Sequence, residues 1–266
     1  MSDLVLTRQE DNLFFVTLNR VDKRNALTME MTEEIGAAVE AAGEIPSVRA
    51  VIVEANGPIF SAGIDIMALA AMRAAAGDEH PGRWLRRMAE RMQRALHRIE
   101  NTELPVIGAL NGRVIGLGLE LVLSFDLRVA AEDLQLSIPE TRLGLVADVG
   151  GTTRLCRAVG ASRAKDMLMT ARSITATEAL QWGLVNRVVP AAELKDAAVA
   201  LAQEIAKNAP LAVGMAKLVI DQGAGSDKFT QMAMERWAQS QLIMTEDIGE
   251  AMAAFMEKRP AQFKGA

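Results

Sequence analysis

The chain has 266 residues, half of them hydrophobic and 24% charged. That length allows one large domain or a core with an appendage, and the apolar content excludes a disordered chain. Acidic side chains outnumber basic ones, 34 to 29, for a formal charge of −5, with 4% aromatics and no Tyr; general nucleic-acid affinity is therefore not expected. The single cysteine, Cys156, excludes an intrachain disulfide. With only His80 and His97, a Cys-rich or multi-histidine metal centre and a Ser-His-Asp triad are poorly supplied. The composition reads as an intracellular enzyme whose chemistry uses neither cysteine nor a metal.

Residues 1–10 carry Asp3 and Glu10 but no cationic-then-apolar block, so no signal peptide is expected. Strands are predicted at 4–7 and 13–18, joined by the polar turn Glu10-Asp11-Asn12. Thr28 reads as the N-cap of a helix with Met31, Ile35, Ala38, Val39 and Ala42 as its apolar stripe. A buried strand follows at 50–54, then the turn Asn56-Gly57-Pro58. Helices are predicted at 64–76 and 84–99, the second with Trp84, Met88, Met92 and Leu96 on one face. Strands at 105–110 and 127–130 continue the alternation, which is the order of an α/β fold. The most apolar stretch, 106–125, is broken by Asn111, Arg113 and Glu120, so it is not read as a membrane span, and the cytoplasm is the expected compartment.

After Ala161 the pattern turns helical. Thr175-Ala176-Thr177-Glu178 is a capping box for a short helix ending at Gly183. A last strand is expected at 184–189, closed by Pro190, with helices at 191–207, 211–222, 229–244 and 248–258. The division is an α/β core over 1–190 and a helical C-terminal region over 191–266.

Three segments could carry chemistry. In Phe60-Ser61-Ala62-Gly63-Ile64-Asp65 a small-residue turn between strand and helix points N–H groups outward, as an oxyanion site requires; the plainer role is a tight turn at Gly63 with Asp65 as a cap. In Gly116-Leu117-Gly118-Leu119-Glu120 two glycines let the backbone turn and free the Leu117 N–H. Glu120 is the only charged residue between Val114 and Phe125, and a buried carboxylate with a raised pKa suits a general acid or base. The third glycine of a G-x-G-x-x-G motif is missing, since Leu121 stands there, which disfavours a dinucleotide site. The third segment holds Glu140, after Pro139, and Asp148, before Gly150-Gly151. Glu120 and Glu140 could meet across a pocket and divide acid and base work. The helix carrying Arg83, Arg86, Arg87, Arg91, Arg94 and Arg98 reads as a solvated basic face, with RNA binding as the functional alternative.

Together these segments resemble the enoyl-CoA hydratase/isomerase family, the crotonase superfamily, over nearly the whole chain. The resemblance is carried in order by Leu18-Asn19-Arg20, Arg24-Asn25-Ala26-Leu27, residues 60–65, and Pro105-Val106-Ile107-Gly108-Ala109-Leu110-Asn111-Gly112, where Leu104 replaces the family's Lys. It continues through Gly116 to Glu120, Pro139-Glu140, Gly150-Gly151-Thr152-Thr153-Arg154-Leu155, Ala179-Leu180-Gln181-Trp182-Gly183-Leu184-Val185 and Phe255-Met256-Glu257-Lys258-Arg259.

The resemblance implies a spiral of repeated ββα units with a helical C-terminal region that builds trimers, often stacked as hexamers. It implies an acyl-CoA thioester substrate, with coenzyme A as part of the substrate and no metal or redox cofactor. The oxyanion hole maps onto the N–H groups of Ile64 and Leu117. Coenzyme A contacts map near Lys23, Arg24, Ala62, Ile64, Asp65, Ile66 and Met67, while Phe255 and Lys258 match positions that reach a neighbouring subunit's coenzyme A. The hydratase glutamates map onto Glu120, which activates water toward C3, and Glu140, which protonates C2 of a trans-2-enoyl-CoA. Asp148 stands where hydratases usually carry Gly and resembles the dienoyl-CoA isomerases, in which a pair matching Glu140 and Asp148 shuttles protons along a conjugated chain. Hydratase is the first reading and double-bond isomerase the alternative; a non-catalytic RNA-binding member is a third, weighed down by the acidic net charge.

Overall fold

Alternation of apolar side chains decides how the strands layer. The computed structural model describes residues 3–266, so Met1 and Ser2 of the acidic opening segment lie outside the described residues. In chain order the first half runs β1 (Val5–Glu10), β2 (Leu13–Leu18), a 3₁₀ turn (Val21–Lys23), α1 (Met29–Gly43), β3 (Ala50–Ala55), α2 (Ile66–Ala75), α3 (Pro81–Asn101), β4 (Val106–Leu110), β5 (Arg113–Ile115), α4 (Leu117–Val122), β6 (Leu127–Ala131) and β7 (Gln135–Ser137). The second half runs through a 3₁₀ turn (Glu140–Leu143), α5 (Gly151–Val159), α6 (Ala161–Thr170), β8 (Ile174–Thr175), α7 (Ala176–Trp182), β9 (Arg187–Val189) and a 3₁₀ turn (Ala191–Glu193). It closes with α8 (Leu194–Ala206), α9 (Pro210–Gly223), α10 (Lys228–Leu242) and α11 (Glu246–Glu257).

The main sheet has the order β1-β2-β3-β4-β6-β9. β1 is antiparallel to β2, and every later neighbour is parallel. Phe15, Ile52 and Ile107 stand in register across β2, β3 and β4. With Ala50, Ala109, Val129 and Ala131 they face Leu194, Ala198, Leu201 and Ala202 of α8. The residues between them, Val16, Leu18, Val51, Val53, Val106 and Leu110, face the other way, toward Met31, Ile35 and Val39 of α1 and Met92, Leu96 and Ile99 of α3. Each fully buried side chain of this size contributes roughly 1.5–3 kcal/mol, so the period-2 strands secure both faces. α8 opens the helical segment expected from residue 191, yet it is packed into this core.

A smaller sheet, β5-β7-β8, forms the second layer. Isolated parallel bridges, Ser61 to Val114 and Leu27 to Ile64, extend it back toward the N-terminus. Each winding of the chain therefore supplies one main-sheet strand, one second-layer segment and a helix: β2, Leu27 and α1, then β3, residues 61–64 and α2, then β4, β5 and α4. This is the expected ββα spiral.

Local differences from the sequence expectations have local causes. The helix expected from residue 64 begins at Ile66, because the Asp65 side chain accepts from the Ala68 N–H as N-cap. The helix expected from 84 starts at Pro81, which occupies the first turn, where its missing N–H costs nothing. The strand expected over 184–189 shrinks to β9, since the Leu184 and Val185 N–H groups turn back to the Ala179 carbonyl and close α7. The Thr175–Glu178 capping box forms in both directions, as expected. No helix among the described residues is long and apolar enough to cross a membrane.

Candidate active site

Residues 60–65 are held as a rigid turn by Asn25. Its side-chain amide donates to the Asn56 and Ile59 carbonyls at 2.9 and 3.1 Å and accepts from the Arg20 N–H at 2.8 Å. Its own carbonyl accepts from Ser61 Oγ at 2.8 Å, and that hydroxyl in turn accepts from the Gly63 N–H at 3.1 Å. Asn25 is buried with φ 51°, a left-handed conformation that Asn tolerates better than most residues. In the bridge to Leu27 the bonds run from the Leu27 N–H to Gly63 O and from the Asp65 N–H to Leu27 O. The Ile64 N–H points away from that partner and donates to no backbone or side chain among the described residues.

The second turn approaches from β5. Gly116 has φ 52°, and Leu117 begins α4, so the Leu117 N–H belongs to the first helical turn and lacks an intrahelical acceptor. The two turns touch at backbone distance: a Cβ on Gly63 would stand 2.7 Å from the Ile115 carbonyl and 3.6 Å from the Leu117 nitrogen. Only glycine with its positive φ of 91° permits that approach. The two turns that carry the Ile64 and Leu117 N–H groups thus adjoin, and neither N–H has a partner among the described residues.

Three carboxyl groups border them. Glu120, in the first turn of α4, is 3% exposed, and its Oε1 accepts from the Val149 and Gly151 N–H groups, both at 2.8 Å. Burial pushes its pKa up to about 7, the negative charges of Glu140 and Asp148 add to the rise, and the two N–H donors oppose it. Glu140, at the head of its 3₁₀ turn, lies beside the Leu117 turn, since a Cβ on Gly116 would stand 2.5 Å from its Oε1. Its Oε2 is buried without a hydrogen-bond partner. Burial, and then Asp148, hold this carboxyl above the ordinary range. Asp148 is exposed as a residue, yet enough protein surrounds its carboxyl to raise its pKa as well. Two neighbouring carboxyls with raised values titrate as a pair. Hydrogen bonding favours the anion at both, through two N–H donors at Glu120 and its own N–H at Glu140, while burial favours the proton at both, and Glu140 keeps one unpartnered oxygen.

The remaining expected residues surround the first turn or lie at the C-terminus. Lys23 and Arg24 are exposed, and the Arg24 carbonyl accepts from the Ala62 N–H at 3.0 Å, tying that segment to the turn. Ile66 and Met67 are strongly exposed. Asp65 is committed to capping α2 and to an ion pair with Arg20 at 2.6 Å, which hold its pKa low. Phe255 stands exposed near the end of α11, and Lys258 closes that helix in a left-handed conformation. The basic helix is α3, and four of its six arginines have acidic partners: Arg87 with Glu79, Arg91 with Glu33, Arg94 with Glu90 and Arg98 with Glu40. That neutralised ladder offers little to a phosphate backbone.

A family profile described as "Enoyl-CoA hydratase/isomerase" matches residues 8–266. The chain belongs to this family. It is 36% identical over 267 aligned positions to the 2,3-dehydroadipyl-CoA hydratase of Escherichia coli, covering 100% of both chains. It is 37% identical to the short-chain-enoyl-CoA hydratase of Clostridium acetobutylicum, covering 96% of this chain and 95% of that one. Its fold is similar to the crystal structure of an enoyl-CoA hydratase from Bacillus anthracis, with a TM-score of 0.91, 34% identity and coverage of 99% and 100%.

Within this enoyl-CoA hydratase/isomerase frame, sequence reasoning missed the groups that hold Glu120. They are backbone N–H groups of Val149 and Gly151, which leave no side-chain signature. The only pointer was the run Gly150-Gly151-Thr152, whose small residues let the main chain reach a neighbouring carboxylate. Asn25 was noted only as a motif letter, not as the anchor of the 60–65 turn.

Proposed function

We infer that the protein is an enoyl-CoA hydratase, adding water across the double bond of a trans-2-enoyl-CoA thioester. The observation that carries this reading is the buried Glu120 carboxylate, held by two N–H groups, beside the unpartnered oxygen of Glu140 and the two free N–H groups of Ile64 and Leu117. In this reading the thioester oxygen accepts from the Ile64 and Leu117 N–H groups, which stabilise the charge that develops as the enolate forms. A water gives one proton to Glu120 while its oxygen bonds to C3, and the C2=C3 electrons move toward the thioester oxygen. As the enolate collapses, C2 takes the proton of Glu140. The glutamate pair starts and ends with one proton, shifted from Glu140 to Glu120, and exchange with solvent resets it. No electron is transferred, so the scheme calls for no redox cofactor.

Lys23, Arg24, Ala62, Ile64, Ile66 and Met67 would border the coenzyme A portion, with Asp65 acting through the α2 cap. We also propose a homotrimer or hexamer built through the C-terminal helices, in which Phe255 and Lys258 reach a neighbour's coenzyme A. The support is the apolar surface left on α10, α11 and the turn between them, where Phe229, Trp237, Met244, Phe255 and Met256 are all more than half exposed; an assembly would cover such side chains. A chain with a single cysteine suits the reducing cytoplasm as its compartment.

Double-bond isomerisation is the second reading, favoured by one observation: the Asp148 charge acts on Glu140, as a proton-shuttling pair requires. Incubation with crotonyl-CoA and with a 3,5-dienoyl-CoA, followed by absorbance and product mass, separates the two. Hydration adds the mass of water, whereas isomerisation changes absorbance at constant mass. A protein inert toward both removes both readings.

A further inference from the structure

We propose that Arg154 is a positioning residue that holds the main chain at Val149–Gly151 so that its N–H groups stay aimed at Glu120. The inference rests on the hydratase reading, in which Glu120 receives the proton of water. Val149 is gripped at both of its polar groups: its N–H donates to Glu120 Oε1 at 2.8 Å, and its carbonyl accepts from Arg154 Nη1 at 2.8 Å. The rest of the guanidinium is fixed from the opposite side. Nε and Nη2 of Arg154 donate to the two oxygens of Glu100, each at 2.6 Å, in a parallel fork. Glu100 sits at the end of α3, and the Arg154 side chain is only 12% exposed.

The guanidinium also fills the space over residue 150. Gly150 has φ 105°, and a Cβ there would collide with Arg154 Nη1. The Nη1 end of the Arg154 guanidinium therefore lies over residue 150, between the two residues whose N–H groups reach Glu120. The far end of the clamp is itself anchored, because the Ile99 and Leu104 carbonyls flanking Glu100 accept from the buried Lys217 ammonium of α9, which pairs with Asp126 at 2.9 Å. A lysine at 154 could satisfy either Val149 O or Glu100, but not both, since it lacks the planar fork.

The charged groups facing each end are distinct. Glu140 and Asp148 face Glu120; His97 stands 3.9 Å from Glu100, and Asp221 lies within electrostatic reach of it. The N–H donors lower the Glu120 pKa, so loosening them raises it and moves the pH profile of hydration upward. For Arg154→Ala, the expected result with crotonyl-CoA is kcat lowered about tenfold, well short of the loss for a misplaced reacting group, with KM within about twofold and the profile displaced upward by about half a pH unit. Arg154→Lys, which keeps the charge, should recover less than half of that loss, and Glu100→Gln should move the profile in the same direction by less. Glu100→Gln also serves if Arg154→Ala does not fold.

The profile of the folded fraction is the deciding readout, because a merely structural role would lower Tm and leave it in place. Wild-type-like kcat and pH profile in folded Arg154→Ala, or in Arg154→Lys, overturn the proposal. Glu120→Gln is the control that separates the two levels: if it retains hydration, the hydratase role of Glu120 falls and Arg154's role with it. If Glu120→Gln is inactive while Arg154→Ala is unchanged, only the positioning role falls.

Discussion

The wall that carries Glu120 and the helices after residue 228 treat burial in opposite ways. In the wall a carboxylate is taken almost wholly out of water, yet its exposed alternatives are replaced by two N–H donors. In α10 and α11 large apolar side chains such as Phe255, at 83% exposed, are left in water. Burying a charge costs several kcal/mol unless it is hydrogen-bonded, and leaving apolar surface wet forfeits roughly 25 cal/mol for each Å². The first departure is answered within one chain, and the hydratase reading uses it. The second is not answered within one chain, and the proposed oligomer would answer it. A fold-stability argument alone explains neither.

The largest effect should come from the N–H groups that the wall presents. Leu117→Pro deletes one donor and should lower hydration by roughly 10²–10³-fold. Leu117 is the first residue of α4, where proline's lack of an N–H and fixed φ are tolerated. Circular dichroism must show the fold intact, and a folded variant with unchanged turnover would show that this N–H is not used.

Glu120→Gln and Glu140→Gln should each cut hydration by at least ~10²-fold, on kcat more than on KM, because glutamine keeps the shape but exchanges no proton. The two variants should differ in stability. Folding raises the Glu120 pKa to about 7, so its contribution to stability is full below the ordinary carboxylate range and is lost as pH rises through 7. Glutamine escapes that loss. Glu120→Gln should therefore gain on the wild type between pH 5 and pH 8.5, by up to about 3 kcal/mol, read as a widening Tm difference. A constant difference across that range would mean that the charge is not confined as described.

The proposed assembly should show a smaller effect on chemistry and a clear one on mass. Met244→Glu should shift sedimentation at micromolar concentration toward the monomer while circular dichroism is retained. A wild-type chain that sediments as a monomer removes the oligomer altogether.

Much of the fold was legible because its main strands alternate strictly and its helices carry clear stripes and caps. The row Phe15, Ile52 and Ile107 and the box at Thr175–Glu178 are readable letter by letter. β5, β7 and β8 were not, since two or three residues are too few to show a period, and they are defined by pairing with distant segments. At the site, side chains with an unusual setting stood out: Glu120 in an apolar run, Leu117 between glycines. The partners of those side chains did not, because backbone donors look alike in any sequence. The six arginines of α3 were read as a solvated basic face, but their partners were not legible: Glu33 and Glu40, which neutralise two of them, lie on α1, some sixty residues earlier in the chain.

The smallest effect is also the one that separates hydratase from isomerase. Asp148 bears on Glu120 and Glu140 only through its charge, which raises both pKa values. Asp148→Asn removes that charge, so both carboxyls should titrate lower and the kcat/KM profile for hydration should move to lower pH by a fraction of a unit. At its own optimum the variant should stay within about threefold of the wild type, the scale of an electrostatic neighbour and not of a group that carries the proton. If isomerisation is the native reaction, the order reverses. Asp148→Asn and Glu140→Gln would then be the severe variants with a 3,5-dienoyl-CoA, and Glu120→Gln would be tolerated. Measuring both reactions in all three variants gives each carboxyl two numbers, and only a proton carrier loses activity at every pH.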